Sequence, residues 1–454
     1  MPIHAGDQEQ GPLEMSRTPK NVALHSIGCR TNQQEILALE AALRRHGYHV
    51  VARPDDADCV IVNTCCVTSV AESKTRRAIK SLARKAPRAR LLVTGCLAQH
   101  APQSLAALER VDWVVANGRK DDIPAILAGP PALVCAPLTQ EPSPGACPAD
   151  AHYRATARTR FFVKIQEGCS HRCAYCIVPS VRGPSRSVPS DAIMRSCEDA
   201  VQAGIREIVL TGTHIGQYTD GGSDLVRLIR RLLGTVGDCR IRLSSLDPRE
   251  LSDELLSLLT HNPRVCEHLH LSVQSLAPAV LDAMGRGGGA ADALVARLAE
   301  TRARVPNLAL GGDFIVGFPT ESIADFERTC DAVRAAGFTH GHVFRFSKRP
   351  GTPAAVLADQ VGGDERKRRG THLMGLLDEL HGGFVRSRHG TVQQVLVEST
   401  KPSQGLSANY LRVGLQDTDI GANELVRVRI VDPVAAGRLD CWASLVDGRG
   451  RGSV

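Results

Sequence analysis

The sequence is poor in aromatic residues and in methionine, and it has no long apolar run. Phe, Trp and Tyr make up 4% of its 454 residues, so any core it builds must be largely aliphatic. No apolar stretch approaches the ~20 residues a membrane helix needs, so no membrane partner is expected. The opening MPIHAGDQEQGPLEMSRTPK lacks the apolar centre of a secretory signal, and residues 1–20 are expected to form a disordered extension. Neither sign of charge dominates. Lys and Arg number 55 against 48 Asp and Glu, a net +7 that permits an acidic partner without demanding one. An even, closely spaced cysteine set is also missing. Fifteen cysteines, an odd count in a long chain without an export signal, argue against a disulfide framework and for a reducing cytoplasm.

What is present is organised around Cys169-Ser-His-Arg-Cys173-Ala-Tyr-Cys176, three thiols in one short loop after an apolar strand. Thiolates are soft ligands that select iron–sulfur clusters, zinc or copper(I). A closed zinc site or a ferredoxin cluster wants four ligands, and this loop offers three. A four-iron cluster held here keeps one iron open for a small molecule. The competing reading is a zinc knuckle completed by His171. Tyr175, just before the last cysteine, either packs on the small molecule or buttresses the loop.

The length suggests two to four domains. Over residues 21–140, short β-rich runs alternate with helical stretches, as in an open parallel-sheet α/β domain. Cys29, Cys65 and Cys96 each follow one of its strands, in Ile-Gly-Cys, Asn-Thr-Cys and Thr-Gly-Cys. Loops beyond the carboxyl ends of parallel strands share one edge, so the three are expected to meet as a second three-thiolate site. Of the adjacent pair, Cys65 is taken as the ligand and Cys66 as packing. A Pro/Gly/Ser-rich linker covers 141–157, with Cys147 in no ligand-like company. Residues 158–384 carry about six β/α units, too few for a closed barrel of eight, which suggests a partial barrel working at its strand ends. The strand-end segments Thr211-Gly212-Thr213-His214, Ser244-Ser245, Ser272-Val-Gln274-Ser275 and Gly317-Phe-Pro are expected to face a ligand there. Over 386–448 the texture becomes short alternating strands with Gly- and Asp-rich turns, a small and mildly basic all-β module.

With these parts placed, the chain resembles the radical-SAM methylthiotransferase family along nearly its whole length beyond residue 20. The matching stretches include Gly28-Cys29-Arg-Thr-Asn32-Gln33, Asn63-Thr64-Cys65, Gly95-Cys96 and Ile165-Gln-Glu-Gly-Cys169 through Arg182-Gly183-Pro-Ser-Arg186-Ser187. Arg242-Leu-Ser-Ser245, Asp313-Phe-Ile-Val-Gly-Phe-Pro319 and Gly351-Thr-Pro353 continue the match. Gly-Cys-Arg-Thr-Asn-Gln, Arg-Leu-Ser-Ser and Ser407-Ala-Asn409-Tyr410-Leu look most like its threonylcarbamoyladenosine branch. The resemblance implies two [4Fe–4S] clusters, on Cys169, Cys173 and Cys176 and on Cys29, Cys65 and Cys96. It implies S-adenosylmethionine (SAM) bound near Tyr175, Thr211, Gly212, Ser245, Gln274 and Ser275. It further implies methylthiolation at C2 of the modified adenosine next to the tRNA anticodon. The last module then resembles a TRAM domain holding RNA, with Arg182, Arg186, Asn409 and Tyr410 as candidate RNA contacts. A flavodoxin- or ferredoxin-like electron donor and a monomeric state complete the expectation.

Alternatives within the family are isopentenyladenosine in tRNA or an aspartate of a ribosomal protein; outside it stands a non-catalytic iron–sulfur RNA-binding protein. One stretch departs from the family pattern. Ser272-Val-Gln-Ser-Leu-Ala277 and Met284-Gly-Arg286-Gly-Gly-Gly289 lack a small residue, a hydroxyl and an aromatic at the barrel mouth.

Overall fold

The computed structural model describes residues 19–135, 138, 159–416, 420–434 and 439–446. The linker expected over 141–157, Cys147 and all but the last two residues of the expected extension lie outside them.

The first layer is a six-stranded parallel sheet in the order β2-β1-β3-β4-β5-β6. Its strands are β1 (Asn21–Ser26), β2 (His49–Val51), β3 (Cys59–Thr64), β4 (Arg90–Gly95), β5 (Trp113–Val115) and β6 (Leu133–Val134). Every residue of β3, Cys-Val-Ile-Val-Asn-Thr, is buried, because helices cover both faces. Its side chains alternate between two cores. Val60 and Val62 join the cluster around Ile79 and Leu91, whereas Cys59 and Ile61 join the one around Leu43 and Trp113.

The second layer holds six parallel strands in chain order: β7 (Arg160–Glu167), β9 (Glu207–Gly212), β12 (Arg240–Leu243), β13 (His268–Gln274), β14 (Ala309–Val316) and β15 (His340–Arg345). Two isolated bridges, Ile241 to Val265 and Leu246 to Leu271, carry the sheet across from β12 to β13. The short β8 (Arg186–Ser187) pairs antiparallel with β7, and β10 (Thr219–Asp220) with β11 (Ser223–Asp224). Among the described residues no pairing returns β15 to β7, so the barrel is partial, as expected. Amphipathic helices close its outside. The helix Leu225–Thr235 buries Leu225, Leu228, Ile229 and Leu232 at helical spacing, and the Asp224 carboxylate caps it by accepting from the Arg227 N–H.

A helix of 25 residues, Gly363–Ser387, leads into a closed barrel in the order β16-β17-β18-β20-β19. These are β16 (Val392–Thr400), β17 (Ser403–Ser407), β18 (Arg412–Leu415), β19 (Leu425–Pro433) and β20 (Cys441–Leu445). The sequence shows four of the five. β17, Ser-Gln-Gly-Leu-Ser, reads as a turn by composition, yet Gly405 is there because a Cβ would run into the Leu396 carbonyl. The seam between the two barrels is polar and buried. Arg240 and Arg242 share the Glu207 carboxylate at 2.6 and 2.8 Å. They also donate to the carbonyls of Gln394, Leu406, Ser407 and Ala408. Arg242, part of a family-like motif, therefore fastens the C-terminal barrel to the starts of the central strands.

Candidate active site

After β7 the chain turns at Gly168, whose φ of 76° and lack of Cβ let the loop pass against its own return at Pro184. The loop is pinned by backbone bonds from Cys169 to Gly183, from Ala174 to Met284 and from Ala354 to Ala174. Each sulfur sits close to its own nitrogen. His214 Nδ1 lies 3.4 Å from Cys169 Sγ, Arg286 Nη1 donates to Cys173 Sγ at 3.7 Å, and the Val178 N–H donates to Cys176 Sγ at 3.4 Å. On its other side His214 Nε2 meets Glu250 at 2.6 Å. Burial opposes a charge on His214, but the hydrogen bonds to Cys169 and Glu250 outweigh it and raise its pKa to about 9.

All three sulfurs line a cavity of about 310 Å³ above the strand ends. Of the residues expected to face a ligand, Tyr175, Ser245 and Gln274 line it. Thr211, Gly212 and Ser275 do not. Thr211 is buried, and a Cβ on Gly212 would stand 2.7 Å from the Gln166 carbonyl. The Ser275 hydroxyl is turned to Thr329 and the Ala277 N–H. Within the expected segment Thr211–His214, Thr213 and His214 are the residues that line the cavity. Gln274 is held at φ 66°, a conformation non-glycine residues seldom adopt, at the mouth of the cavity.

Sequence reasoning missed a charged wall. Asp247 pairs with Arg249 and Arg286 at 2.8 Å each, and Asp313 and Arg345 also line the cavity. Arg286 Nη2 further donates to the Ser272 carbonyl at 2.6 Å, so the atypical Met284–Gly289 segment delivers a guanidinium to the loop. Asp313 lies inside a family-like motif, but the pairing of Asp247 with Arg286 joins segments 39 residues apart and leaves no local trace.

The second trio rests on topology. β1, β3 and β4 are neighbours in the first sheet, so Cys29, Cys65 and Cys96 follow three adjacent strands. Gly28 (φ 123°) and Gly95 (φ 99°) precede two of them, and a Cβ on Gly28 would stand 2.6 Å from Cys65 Cβ. Cys66 is fully buried in the core, as is Cys96, while Cys65 is nearly so. Val67 and Thr68, just beyond, line the same cavity as the loop sulfurs.

The arginines and the asparagine expected at RNA have other work. Arg182 is 4% exposed and reaches Glu35 at 2.7 Å, Glu167 at 3.1 Å and Asn32 at 2.8 Å, bonding the first sheet to the barrel. Arg186 donates to the Leu138 and Arg182 carbonyls. Asn409 is fully buried, donating to Asn307 at 2.9 Å. Tyr410 stacks on His268 with ring centroids 4.3 Å apart. These contacts place Arg182 and Asn409 in buried seams, while Arg186 and Tyr410 are half-buried.

Residues 21–116 match a family model described as uncharacterized protein family UPF0004, and residues 163–333 match the radical SAM superfamily. The chain is 32% identical to the threonylcarbamoyladenosine tRNA methylthiotransferase MtaB of Thermotoga maritima over 95% of its own length and 99% of that protein. The chain belongs to the radical-SAM methylthiotransferases. The MtaB of Aquifex aeolicus is 34% identical over 90% of this chain and 100% of its own. The ribosomal protein uS12 methylthiotransferase RimO of Chloroflexus aurantiacus is 32% identical over 84% and 88%. In fold, the radical SAM methyltransferase TsrM of Kitasatospora setae superposes with a TM-score of 0.57 at 16% identity, covering 74% of this chain and 75% of that one.

As a radical-SAM enzyme this methylthiotransferase uses SAM and a [4Fe–4S] cluster. The donor sets fit. Burial, with the neighbouring sulfurs adding to it, pushes the Cys176 thiol up to about 12 and the Cys65 thiol up to about 11. Crowded thiols of this kind ionise together only around a cationic centre. Among the described residues no three cysteine sulfurs come within 4.8 Å of one another, the spacing of a single-ion site. His171, the candidate zinc ligand, belongs instead with His214 and Glu250. A cluster, whose irons occupy separate corners, suits the wider trios better than one zinc ion.

Proposed function

We propose that this enzyme methylthiolates C2 of N6-threonylcarbamoyladenosine next to the tRNA anticodon, consuming two SAM. The observation that carries the reading is the near full-length likeness to enzymes named for that reaction. Cys169, Cys173 and Cys176 would hold one cluster and Cys29, Cys65 and Cys96 the other. When bound, the clusters supply the electron that cleaves SAM and the sulfur that is inserted. The chain's own residues prepare the chamber. The Val178 N–H and the Arg286 guanidinium each steady one sulfur, and His214 stands ready to do so for Cys169. Asp247 fixes Arg286 in place, and Tyr175, Ile315 and Phe346 give the cavity an apolar side that excludes water.

One lining residue supports this substrate over isopentenyladenosine. Arg345 is exposed at the cavity beside Phe344 and makes no hydrogen bond or ion pair among the described residues. A guanidinium suits the threonine carboxylate, which an isopentenyl group lacks. The likeness to RimO favours a second reading, an aspartate of ribosomal protein uS12. Mass spectrometry of tRNA nucleosides and of uS12 from a deletion strain separates them: loss of methylthiolated threonylcarbamoyladenosine alone is expected. In vitro, Arg345→Gln should lower turnover of threonylcarbamoylated tRNA by roughly 10-fold or more, the effect of one charged hydrogen bond, and leave SAM cleavage intact. The cytoplasmic setting, monomeric state, flavodoxin- or ferredoxin-like donor and TRAM-like role of the C-terminal barrel belong to the same reading.

A further inference from the structure

Beneath the cavity, the inner face of β13, β14 and β15 carries imidazoles that the chemistry above leaves unused. Residues two apart on a strand share a face, so β13 presents His268 and His270 together, and β15 presents His340 and His342. The register sets His270 opposite Gly311, Gly311 opposite His340, and Asp313 opposite His342. The middle strand contributes only Ala309 and Gly311 between the rings, leaving a trough. A Cβ on Gly311 would collide with His340 Nε2 and His270 Nδ1, so both nitrogens converge on the space above that glycine.

We propose that His268, His270 and His340 form a binding site for a borderline divalent cation, zinc(II) foremost. Their nearest ring nitrogens lie within 4.8 Å of one another. Three nitrogens each about 2.0–2.1 Å from one tetrahedral ion stand roughly 3.3–3.4 Å apart, so modest side-chain rotation closes the site. The ring centroids form a compact triangle of 5.5, 5.8 and 6.4 Å. Asp313 supplies the orienting partner that metal-bound histidines favour. It receives His270 Nε2 at 3.0 Å, which leaves the Nδ1 lone pair facing the trough. His340 Nε2 is buried without a hydrogen-bond partner, while its Nδ1 lies 3.0 Å from the Thr339 hydroxyl. Nε2 is therefore the nitrogen turned to the trough and free to ligate. Tyr410 roofs His268, and a cavity of about 270 Å³ lined by His340, Tyr410 and Asp440 gives an ion a way in. The site lies on the central strands, against Tyr410 of the C-terminal barrel, and stands apart from both cysteine trios.

The test uses the full chain with its clusters reconstituted without oxygen, titrated with zinc(II) and read by X-ray absorption at the zinc edge. The expected result is one zinc per chain with a nitrogen- and oxygen-only shell dominated by imidazole. His340→Asn removes one of the three ligands and should weaken binding by at least roughly 10–100-fold, the cost of losing an orienting partner alone, while iron content stays unchanged. Absence of stoichiometric zinc, sulfur in the zinc shell, or unaltered affinity in His340→Asn overturns the proposal. The wild-type spectrum decides alone should the variant not fold.

Discussion

At the scale of single residues, two glycines show what the second cysteine trio requires. Gly28 and Gly95 hold positive φ immediately before Cys29 and Cys96, in places where a Cβ would meet Cys65 or the Thr64 backbone. Gly28→Ala should cost about 1–3 kcal/mol of local strain and displace Cys65. The expected outcome is loss of about half the iron with SAM cleavage retained, measured by iron analysis and deoxyadenosine release. The cysteines themselves should divide the reaction. Cys173→Ala should abolish SAM cleavage, whereas Cys96→Ala should keep cleavage and stop sulfur transfer. A Cys96→Ala enzyme that still thiolates tRNA removes the second cluster from the reaction.

Among the elements, the seam between β9, β12 and the C-terminal barrel carries the clearest energetic consequence. Burial would push the Glu207 carboxyl up, but Arg242 and Arg240 outweigh it and hold it at about 2. Because the folded value lies below the unfolded one of about 4.3, this carboxylate stabilises the fold above that pH, and the contribution is lost as pH falls toward 2. Glu207→Gln leaves two buried guanidiniums uncompensated and should cost about 3–5 kcal/mol, visible in urea unfolding at pH 7. The same variant should show a shallower loss of stability between about pH 4 and pH 2. The six central strands were legible in the sequence because short β-rich runs alternate there with longer helical stretches. The strand-end placement of all six cysteines was legible because it follows from chain order alone. The seam, the wall of Asp247 with Arg286 and the histidine trough were not. Each is made by residues far apart in the chain, paired by strand register in the seam and the trough and by facing loops in the wall, and β17 hid because its glycine serves a close approach rather than a turn. Arg182 misled for a related reason: a cation next to a ligand loop looks exposed until the sheet it bonds to is in place.

For the whole molecule, the central strands have a different neighbour at each end. Gln274, at the end of β13, lines the cavity, while His268, at its start, stacks under Tyr410 of the C-terminal barrel. Six residue steps of strand separate them, about 20 Å at 3.3 Å each. On the reading that this barrel grips RNA, an anticodon stem shortened by two base pairs should bind several-fold more weakly than the full arm carrying the same loop. Equal binding in a filter or anisotropy assay removes the barrel from recognition. A fixed span between grip and chamber would act as a ruler, admitting the nucleotide that lies the right number of steps from the stem. Selection of one adenosine among several would then begin as measurement, before any base edge is read.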